Sequence, residues 1–170
     1  ILLLGLLIGK RNIALENPGY IKAKEIFKSM SWNVLSVDME DEGMSIDILE
    51  STDADICYLM PANQYPTGVI MPINRRRELI SWCYEKSDRY IIEDDYDSEF
   101  RFVGKPIPAM QGLDPSKIIY MGTFSKAIAP AIRVAYMVLP EKLMEEYESK
   151  LKFLSCTVPR SDQNILETFI

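Results

Sequence analysis

Two kinds of hydrophobic pattern alternate along the chain. Short segments that are apolar nearly throughout, or rich in β-branched and aromatic residues, are typical of β-strands. They predict strands at Asn12–Glu16, Trp32–Met39, Ile56–Pro61, Tyr90–Asp94, Ile118–Gly122 and Arg133–Leu139. Between these segments apolar residues recur at helical spacing, which predicts helices over Gly19–Met30, Pro72–Lys86 and Pro140–Phe153.

The order of these elements predicts the fold class. Repeated strand–helix–strand units favour right-handed crossovers and a mostly parallel sheet. Strands that are apolar throughout, such as Tyr90–Ile92 and Ile118–Tyr120, suit a sheet that helices cover on both faces. The sequence therefore predicts one three-layer α/β/α domain, and its 170 residues are enough to bury a sizeable core.

The composition of the chain excludes several kinds of catalytic and binding site. The chain has no histidine, and its 19 Lys and Arg against 25 Asp and Glu give a formal net charge of -6. Without histidine, Ser-His-Asp and Cys-His catalysis and HExxH zinc sites are excluded. The acidic balance argues against DNA binding by this chain itself, since gripping phosphates requires a basic face.

The cysteines and the first eight residues indicate the cellular compartment of the protein. Cys57, Cys83 and Cys156 form no CxxC pair, so we expect each of them to be a small buried hydrophobic residue. The same pattern favours a reducing compartment, the cytoplasm. The apolar run Ile1–Ile8 is too short to cross a bilayer, and we expect no membrane association. Because the chain starts within a helix and without Met, we also expect it to be the central piece of a longer protein.

Three other motifs do not predict a binding site. Gly5–Lys10 is one residue short of a phosphate loop and precedes the first strand. The acidic run from Glu93 to Glu99 could attract a hard cation, but we interpret it as a strand-end turn and expect no metal. Arg75–Arg77 lies in the first turn of a predicted helix, where we expect a solvated face.

Unusual residues follow four of the predicted strands. In a doubly wound sheet the carboxyl ends of the strands lie along one edge, where the loops meet and ligands bind. The loops are Glu16–Tyr20, Pro61–Gly68, Glu93–Phe100 and Gly122–Lys126. The sequence therefore predicts that these loops converge on one site.

The last of these loops has the chemistry of a cofactor site. Lys126 directly past a buried strand can lose solvation and become a nucleophilic amine. The hydroxyls of Thr123 and Ser125, with Arg133 nearby, suit a phosphate group. An acidic residue at the neighbouring strand end could pair with a protonated ring nitrogen. Together these groups match the needs of pyridoxal 5'-phosphate (PLP).

Longer runs of sequence resemble a known family. The runs IIEDDYDSEF, IPAMQGLDPSKIIYMGTFSK and AIRVAYMVLP are similar to the aminotransferase-like domain of MocR-type regulators of the GntR superfamily. ENPGY and PANQYPTG resemble the matching loops of class I aminotransferases. The resemblance covers essentially the whole chain and implies the large domain of a fold-type-I PLP protein.

The resemblance also implies roles for individual residues. Lys126 would form the internal aldimine with PLP, and Asp94 would keep the pyridine nitrogen protonated. Tyr96 would hydrogen-bond the phenolic oxygen, and Tyr20 would stack on the ring. Plainer interpretations stay open: Lys126 as a surface lysine, the two tyrosines as core aromatics, and Asp95 as the competitor for the role of Asp94.

The remaining roles concern the phosphate and the substrate. The implied phosphate contacts come from Thr123, Ser125 and Arg133. Asn63 and Gln64 are implied cofactor contacts, although regulators of this type usually have His where this chain has Asn63. Lys22 stands where related sequences often have an arginine near the substrate, and it could still meet a carboxylate.

The resemblance leaves two functions open. In the first, the chain is the effector-sensing domain of a regulator, where an amino acid or amine reacts with PLP by transimination. DNA would then be bound by a winged-helix domain absent from this chain. In the second, it is part of an aminotransferase that acts on amino and 2-oxo acids. For both functions we expect a homodimer and a C-terminal small domain after Ile170. A third interpretation is a plain α/β domain with a degenerate site.

Overall fold

The computed structural model describes residues 1–97, 108–126, 128 and 132–169. The helices are α1 (Leu2–Ile8), α2 (Ile21–Ser29), α3 (Ile46–Glu50), α4 (Ile73–Tyr84), α5 (Met110–Leu113), α6 (Glu141–Lys150) and α7 (Arg160–Phe169). The strands are β1 (Asn12–Asn17), β2 (Asn33–Glu40), β3 (Gly43–Met44), β4 (Ile56–Leu59), β5 (Tyr90–Asp95), β6 (Ile118–Thr123) and β7 (Ala135–Val138). Glu99, in the acidic run, lies outside the described residues.

The strands form one sheet in the order β3-β2-β1-β4-β5-β6-β7. The five central strands are parallel to their neighbours, whereas β3 and β7 at the two edges run antiparallel. From β1 the chain steps to β2 on one side and later to β4 on the other, so the strand order reverses between β1 and β4. In open α/β sheets such a reversal opens a crevice at the carboxyl ends of the strands.

Helices cover both faces of the sheet. One apolar cluster joins α1, α2 and α6 to one face through residues such as Leu4, Phe27 and Leu143. A second joins α3, α4 and α5 to the other face through Leu49, Leu79 and Met110. Most residues of β1, β4, β5 and β6 are buried, which explains the runs of apolar residues in these strands. The predicted three-layer α/β/α fold with a mostly parallel sheet is confirmed.

The predicted elements are present, with different ends in places. The last strand is shorter than predicted, because β7 begins at Ala135 and leaves Arg133 outside it. β3, α3 and α5 escape prediction because none exceeds five residues, too few to show a period. α7 was also not predicted; Leu166 is its buried residue among those described.

Two predictions about buried residues need correction. Arg76 is not on a solvated face: only 1% of it is exposed, and it donates to the carbonyl oxygens of Pro61, Met71 and Pro108 at 2.8–3.0 Å. The start of α4 packs beneath these loops, so its second arginine points inward while Arg77 stays exposed. Among the cysteines, Cys57 and Cys83 are buried, but Cys156 is exposed.

Within the described parts of the chain, no helix is both long enough and apolar enough to cross a membrane.

Candidate cofactor site

The loops that follow β1, β4, β5 and β6 lie at the same edge of the sheet. Their strands are parallel neighbours, so the loops leave at the same end. The crevice between β1 and β4 is bordered by the Glu16–Tyr20 loop and the Pro61–Gly68 loop. Side-chain hydrogen bonds link each of the four loops to the next along this edge.

Lys126 lies in the turn after β6, with half of its side chain exposed. Its Nζ donates a hydrogen bond to Asp97 Oδ2 at 3.1 Å, and the same atoms form an ion pair. The Lys126 ammonium also lies 4.7 Å from the centre of the Tyr96 ring, within the range of a cation–π contact. The amine is therefore held in place, yet open to a ligand from solvent.

Asn63 ties the loop after β4 to the loop after β5. Its Nδ2 donates to Asp97 Oδ2 at 2.7 Å, and its backbone oxygen accepts from the Tyr96 hydroxyl at 2.9 Å. Burial, together with the nearby carboxylates of Asp97 and Asp94, raises the pKa of Tyr96 to about 12. Tyr96 is therefore a neutral hydrogen-bond donor at neutral pH. Lys126, Tyr96 and Asn63 are brought together around Asp97.

Asp94 and Asp95 face opposite sides of β5, because side chains alternate along a strand. Asp94 accepts a hydrogen bond from the Tyr58 hydroxyl, whereas Asp95 accepts one from the Tyr120 hydroxyl at 2.7 Å. Burial raises the pKa of Asp94, partly offset by the bond from Tyr58. Among the described residues no Lys or Arg forms an ion pair with Asp94. Its carboxyl is thus a half-buried acceptor on the same side of the strand as Tyr96.

The three predicted phosphate ligands lie next to one another. The Thr123 hydroxyl donates to the Val134 carbonyl oxygen at 3.1 Å and accepts from the Ser125 N–H at 3.2 Å. Ser125 Oγ is 3.1 Å from Thr123 Oγ1. Arg133, next to Val134, is exposed and has a positive φ of 47°. The two hydroxyls and the arginine therefore flank one turn beside Lys126.

Gln64 is placed differently from its neighbour Asn63. It is buried beneath its own loop, where its Nε2 donates to Pro18 O at 2.9 Å and approaches Glu16 Oε2 at 3.3 Å. Its Oε1 accepts from the N–H and the hydroxyl of Thr67. Gln64 thus supports the loop, and both of its polar atoms already have partners in the protein.

Tyr20 and Lys22 lie at the start of α2. The Tyr20 ring is half-buried and meets Tyr65 edge to face, with 6.1 Å between ring centres. Lys22 is exposed, and among the described residues its side chain has no hydrogen-bond or ion-pair partner. Gly19 just before them accepts no larger residue, because a Cβ there would collide with the carbonyl oxygen of Glu16.

Three residues in these contacts were not predicted for the site. Asp97 binds Lys126 and Asn63, Tyr58 binds Asp94, and Glu16 lies beneath Gln64. Asp97 and Glu16 had a visible signal, since each is an acid at or just past the end of an apolar strand. Tyr58 had none, because a tyrosine inside an apolar strand is typical of the core.

Known proteins match the chain in sequence and in fold. A scan against models of protein families finds no match. The uncharacterized HTH-type transcriptional regulator YdeL of Bacillus subtilis is 40% identical over 160 residues, which cover 94% of this chain and 34% of YdeL. The probable rhizopine catabolism regulatory protein MocR of Rhizobium meliloti is 38% identical over 135 residues, 79% of this chain and 27% of that protein.

A solved structure extends the likeness to aminotransferases. LysN, the α-aminoadipate aminotransferase of Thermus thermophilus, was solved with N-(5'-phosphopyridoxyl)-L-leucine. It superposes with a TM-score of 0.81 at 26% identity, over 98% of this chain and 45% of LysN. The chain spans about a third of the length of the first curated relatives that it matches. In sequence the chain matches part of MocR-type transcriptional regulators, and in fold it matches aminotransferases.

Proposed function

We propose that this chain is the PLP-binding, effector-sensing region of a MocR-type regulator, with Lys126 as the residue that binds the cofactor covalently. The observation that supports this most directly is the position of Lys126: its amine is half exposed and held by Asp97 and Tyr96 where the loops after β4, β5 and β6 meet. The regulators named above are more similar to the chain than LysN is, which favours sensing over turnover.

The residues present fit this cofactor. PLP supplies an aldehyde carbon that an amine can attack and a ring that withdraws electrons. Asp94 is a half-buried carboxyl without a Lys or Arg partner among the described residues, so a cationic ring nitrogen would give it a charge partner. Tyr96, kept neutral by its raised pKa, would donate to a ring oxygen.

The other site residues would bind the remaining parts of the ligands. Thr123, Ser125 and Arg133 flank one turn and would hold the phosphate, with Arg133 able to bind it bidentately. Tyr20 would cover one ring face, and Asn63 would orient Tyr96 through its backbone oxygen. Lys22, exposed on α2, would meet a substrate carboxylate, whereas Gln64 would support the loop.

The relatives are longer than this chain, and they are the basis of our proposal for the rest of the protein. We propose that the chain is the central part of the large domain of a longer cytoplasmic protein that acts as a homodimer. An upstream winged-helix domain would bind DNA, and a downstream small domain would complete the effector site. An amino acid or amine that reacts at Lys126 would change the arrangement of these parts and so change DNA binding.

Covalent labelling tests the lysine. The chain is titrated with PLP, visible absorbance is followed, and the complex is reduced with borohydride before peptide mapping. We expect the label on Lys126 and complete loss of specific label in Lys126→Ala. Lys152→Ala is the matched control, because Lys152 is also an exposed lysine paired with a carboxylate, Glu148 at 2.9 Å. Label that stays in Lys126→Ala, or disappears in Lys152→Ala, would overturn the assignment.

A second assay separates the sensor from the enzyme. The protein in its full length is mixed with PLP and a panel of amino acids and amines, and 2-oxo acid formation is followed beside DNA binding. A sensor would change its affinity for DNA when the amino compound is added and would produce little or no 2-oxo acid. Sustained 2-oxo acid production would instead establish the aminotransferase function.

A further inference from the structure

A buried carboxyl lies beneath the candidate site. Glu16 ends the apolar part of β1 and is only 5% exposed. Its Oε2 accepts from the Met60 N–H and from Gln64 Nε2, both at 3.3 Å. Its Oε1 is buried and has no hydrogen-bond partner among the described residues. Glu16 therefore bridges the crevice between β1 and β4 with one oxygen and leaves the other unsatisfied.

Contacts lead from Glu16 to Lys126. Gln64 joins Glu16 to the turn of its own loop, since its backbone bonds to Val69 and Gly68 and its side chain to Thr67. Asn63, the preceding residue, then bonds to Tyr96 and Asp97, as described above. Asp97 in turn holds the Lys126 amine. The position of Asn63 thus depends on a loop whose base rests on Glu16.

The protonation of Glu16 is set by its surroundings. Burial raises its pKa to about 7, against the opposing effect of the bonds from Gln64 and Met60, and the nearby charge of Asp94 adds to the rise. Cys57 and Tyr58 on β4 also interact with Glu16, and burial raises the pKa of each, so both are neutral. Among the described residues no Lys or Arg forms an ion pair with Glu16.

We propose that Glu16 is the positioning residue of the segment from Pro61 to Val69, and that a proton on its carboxyl keeps this segment closed over the β1–β4 crevice. When the carboxyl is neutral, its unsatisfied oxygen carries little charge and tolerates burial. When it is ionised, that oxygen needs a donor, which it gains when the segment opens and water enters. The effect on PLP rests on the function proposed above; the effect on the segment does not.

Hydrogen exchange tests the segment without any cofactor. The amides of Gln64 and Gly68, which bond to Val69 O and Gln64 O, report on closure, and the Ile91 amide in the sheet is the reference. For a group with a pKa near 7 when closed and near 4.5 when open, the protection factors should fall about tenfold between pH 6 and pH 8. In Glu16→Gln, which keeps the shape but cannot ionise, they should stay constant.

The control variant is Glu50→Gln, which changes an exposed glutamate at the end of α3 and should keep the pH dependence of the wild type. Equal pH dependence in wild type and Glu16→Gln would overturn the proposal. So would protection factors that do not change between pH 6 and pH 8 in the wild type. Thermal unfolding of each variant confirms that the fold is intact.

PLP attachment provides the second measurement. The ratio of the apparent PLP affinities of wild type and Glu16→Gln is taken at each pH, so that the common pH dependence of the lysine chemistry cancels. We expect the ratio to fall several-fold from pH 6 to pH 8; a constant ratio would contradict the positioning role. If PLP does not bind at all, the proposed function fails, while hydrogen exchange still decides the proposal for Glu16.

Discussion

The two sides of the candidate site are built differently. On the β1–β4 side, Glu16 and Gln64 are buried, and their partners lie in three separate loops or strands. On the β6–β7 side, Thr123 bonds to Ser125 and to the Val134 carbonyl oxygen just before β7, and Lys126 and Arg133 are exposed. With its loop segment closed, the β1–β4 side is thus a preformed support, whereas the β6–β7 side presents the groups that we propose react with or bind a ligand.

This difference agrees with the demands of the two tasks. A support must be rigid, and buried polar groups with several partners provide rigidity at the cost of desolvation. A reactive amine must be reached by its ligand, so it cannot be enclosed in the same way. Substitutions on the two sides should therefore have opposite profiles: large effects on stability on the first side, and large effects on ligand binding on the second.

Replacing the buried arginine tests the support most severely. Arg76 binds the carbonyl oxygens of Pro61, where the segment on the β1–β4 side begins, of Met71, two residues past its end, and of Pro108. Arg76→Met should lower the free energy of unfolding by about 4 kcal/mol, because it removes the buried donor to the Met71 carbonyl oxygen and the positive charge that interacts with buried Glu93. Arg77→Met, on the exposed side of the same turn, should change it by less than about 0.5 kcal/mol. Urea unfolding measures both, and equal effects would contradict a preformed support.

The pH dependence of stability tests the buried acid. The pKa of Glu16 in the folded chain is about 7, above its ordinary value of 4.5, so the folded state binds more protons than the unfolded state between these values. Stability must then fall as pH rises through this window. From pH 5 to pH 8 the contribution of Glu16 to this loss should be about 2.5 kcal/mol in the wild type and absent in Glu16→Gln.

That measurement needs a reference for the other titrating groups. The difference between wild type and Glu16→Gln at each pH removes their common contribution, and Glu50→Gln should behave as the wild type does. A difference that does not change between pH 5 and pH 8 would mean that Glu16 ionises normally in the folded chain.

The same small substitution can be compared on both sides. In Gly19→Ala the new methyl group would meet the backbone carbonyl of Glu16, which cannot turn aside, and we expect a loss of about 2 kcal/mol. In Gly122→Ala it would meet the ring of Tyr136, a partly exposed side chain that can rotate away. We expect a loss below about 1 kcal/mol there. Thermal unfolding of both variants would test the order, and a larger loss at Gly122 would reverse the comparison.

The smallest expected effect is on the reactive side. The ion pair between Lys126 and Asp97 includes a half-exposed lysine, and such pairs contribute little to stability. A double-mutant cycle with Lys126→Met and Asp97→Asn should give a coupling below about 0.5 kcal/mol that decreases with added salt. A coupling several times larger would place Lys126 in the rigid support instead.

Much of the fold could be predicted from the sequence. β4 and the first residues of β5 and β6 are buried on both faces, so they must be apolar, and this pattern is visible without a structure. The short elements β3, α3 and α5 could not be predicted, because a few residues show no period. Arg76 could not be placed either, since its burial depends on the loops that fold over the start of α4.

Part of the candidate site could likewise be predicted from the sequence, and part could not. The spacing of strand ends predicted which loops meet, and the motif around Lys126 predicted the kind of chemistry, because both depend on local sequence. The partners of Asp94 and Asp95, the position of Asp97 beside Lys126 and the burial of Glu16 depend on which residues other strands bring near. Alternation along β5 separates the two aspartates, but only the neighbouring strands decide that one meets Tyr58 and the other Tyr120.

The sequence by itself thus determined the layers of this protein and the edge where its loops converge, and it placed Lys126 in one of those loops. The tertiary structure alone decided which polar groups are buried and which are exposed. The physical reason is that the pattern of a segment reports its own period and polarity, whereas burial, hydrogen-bond partners and the pKa of Glu16 are properties of the groups packed around it.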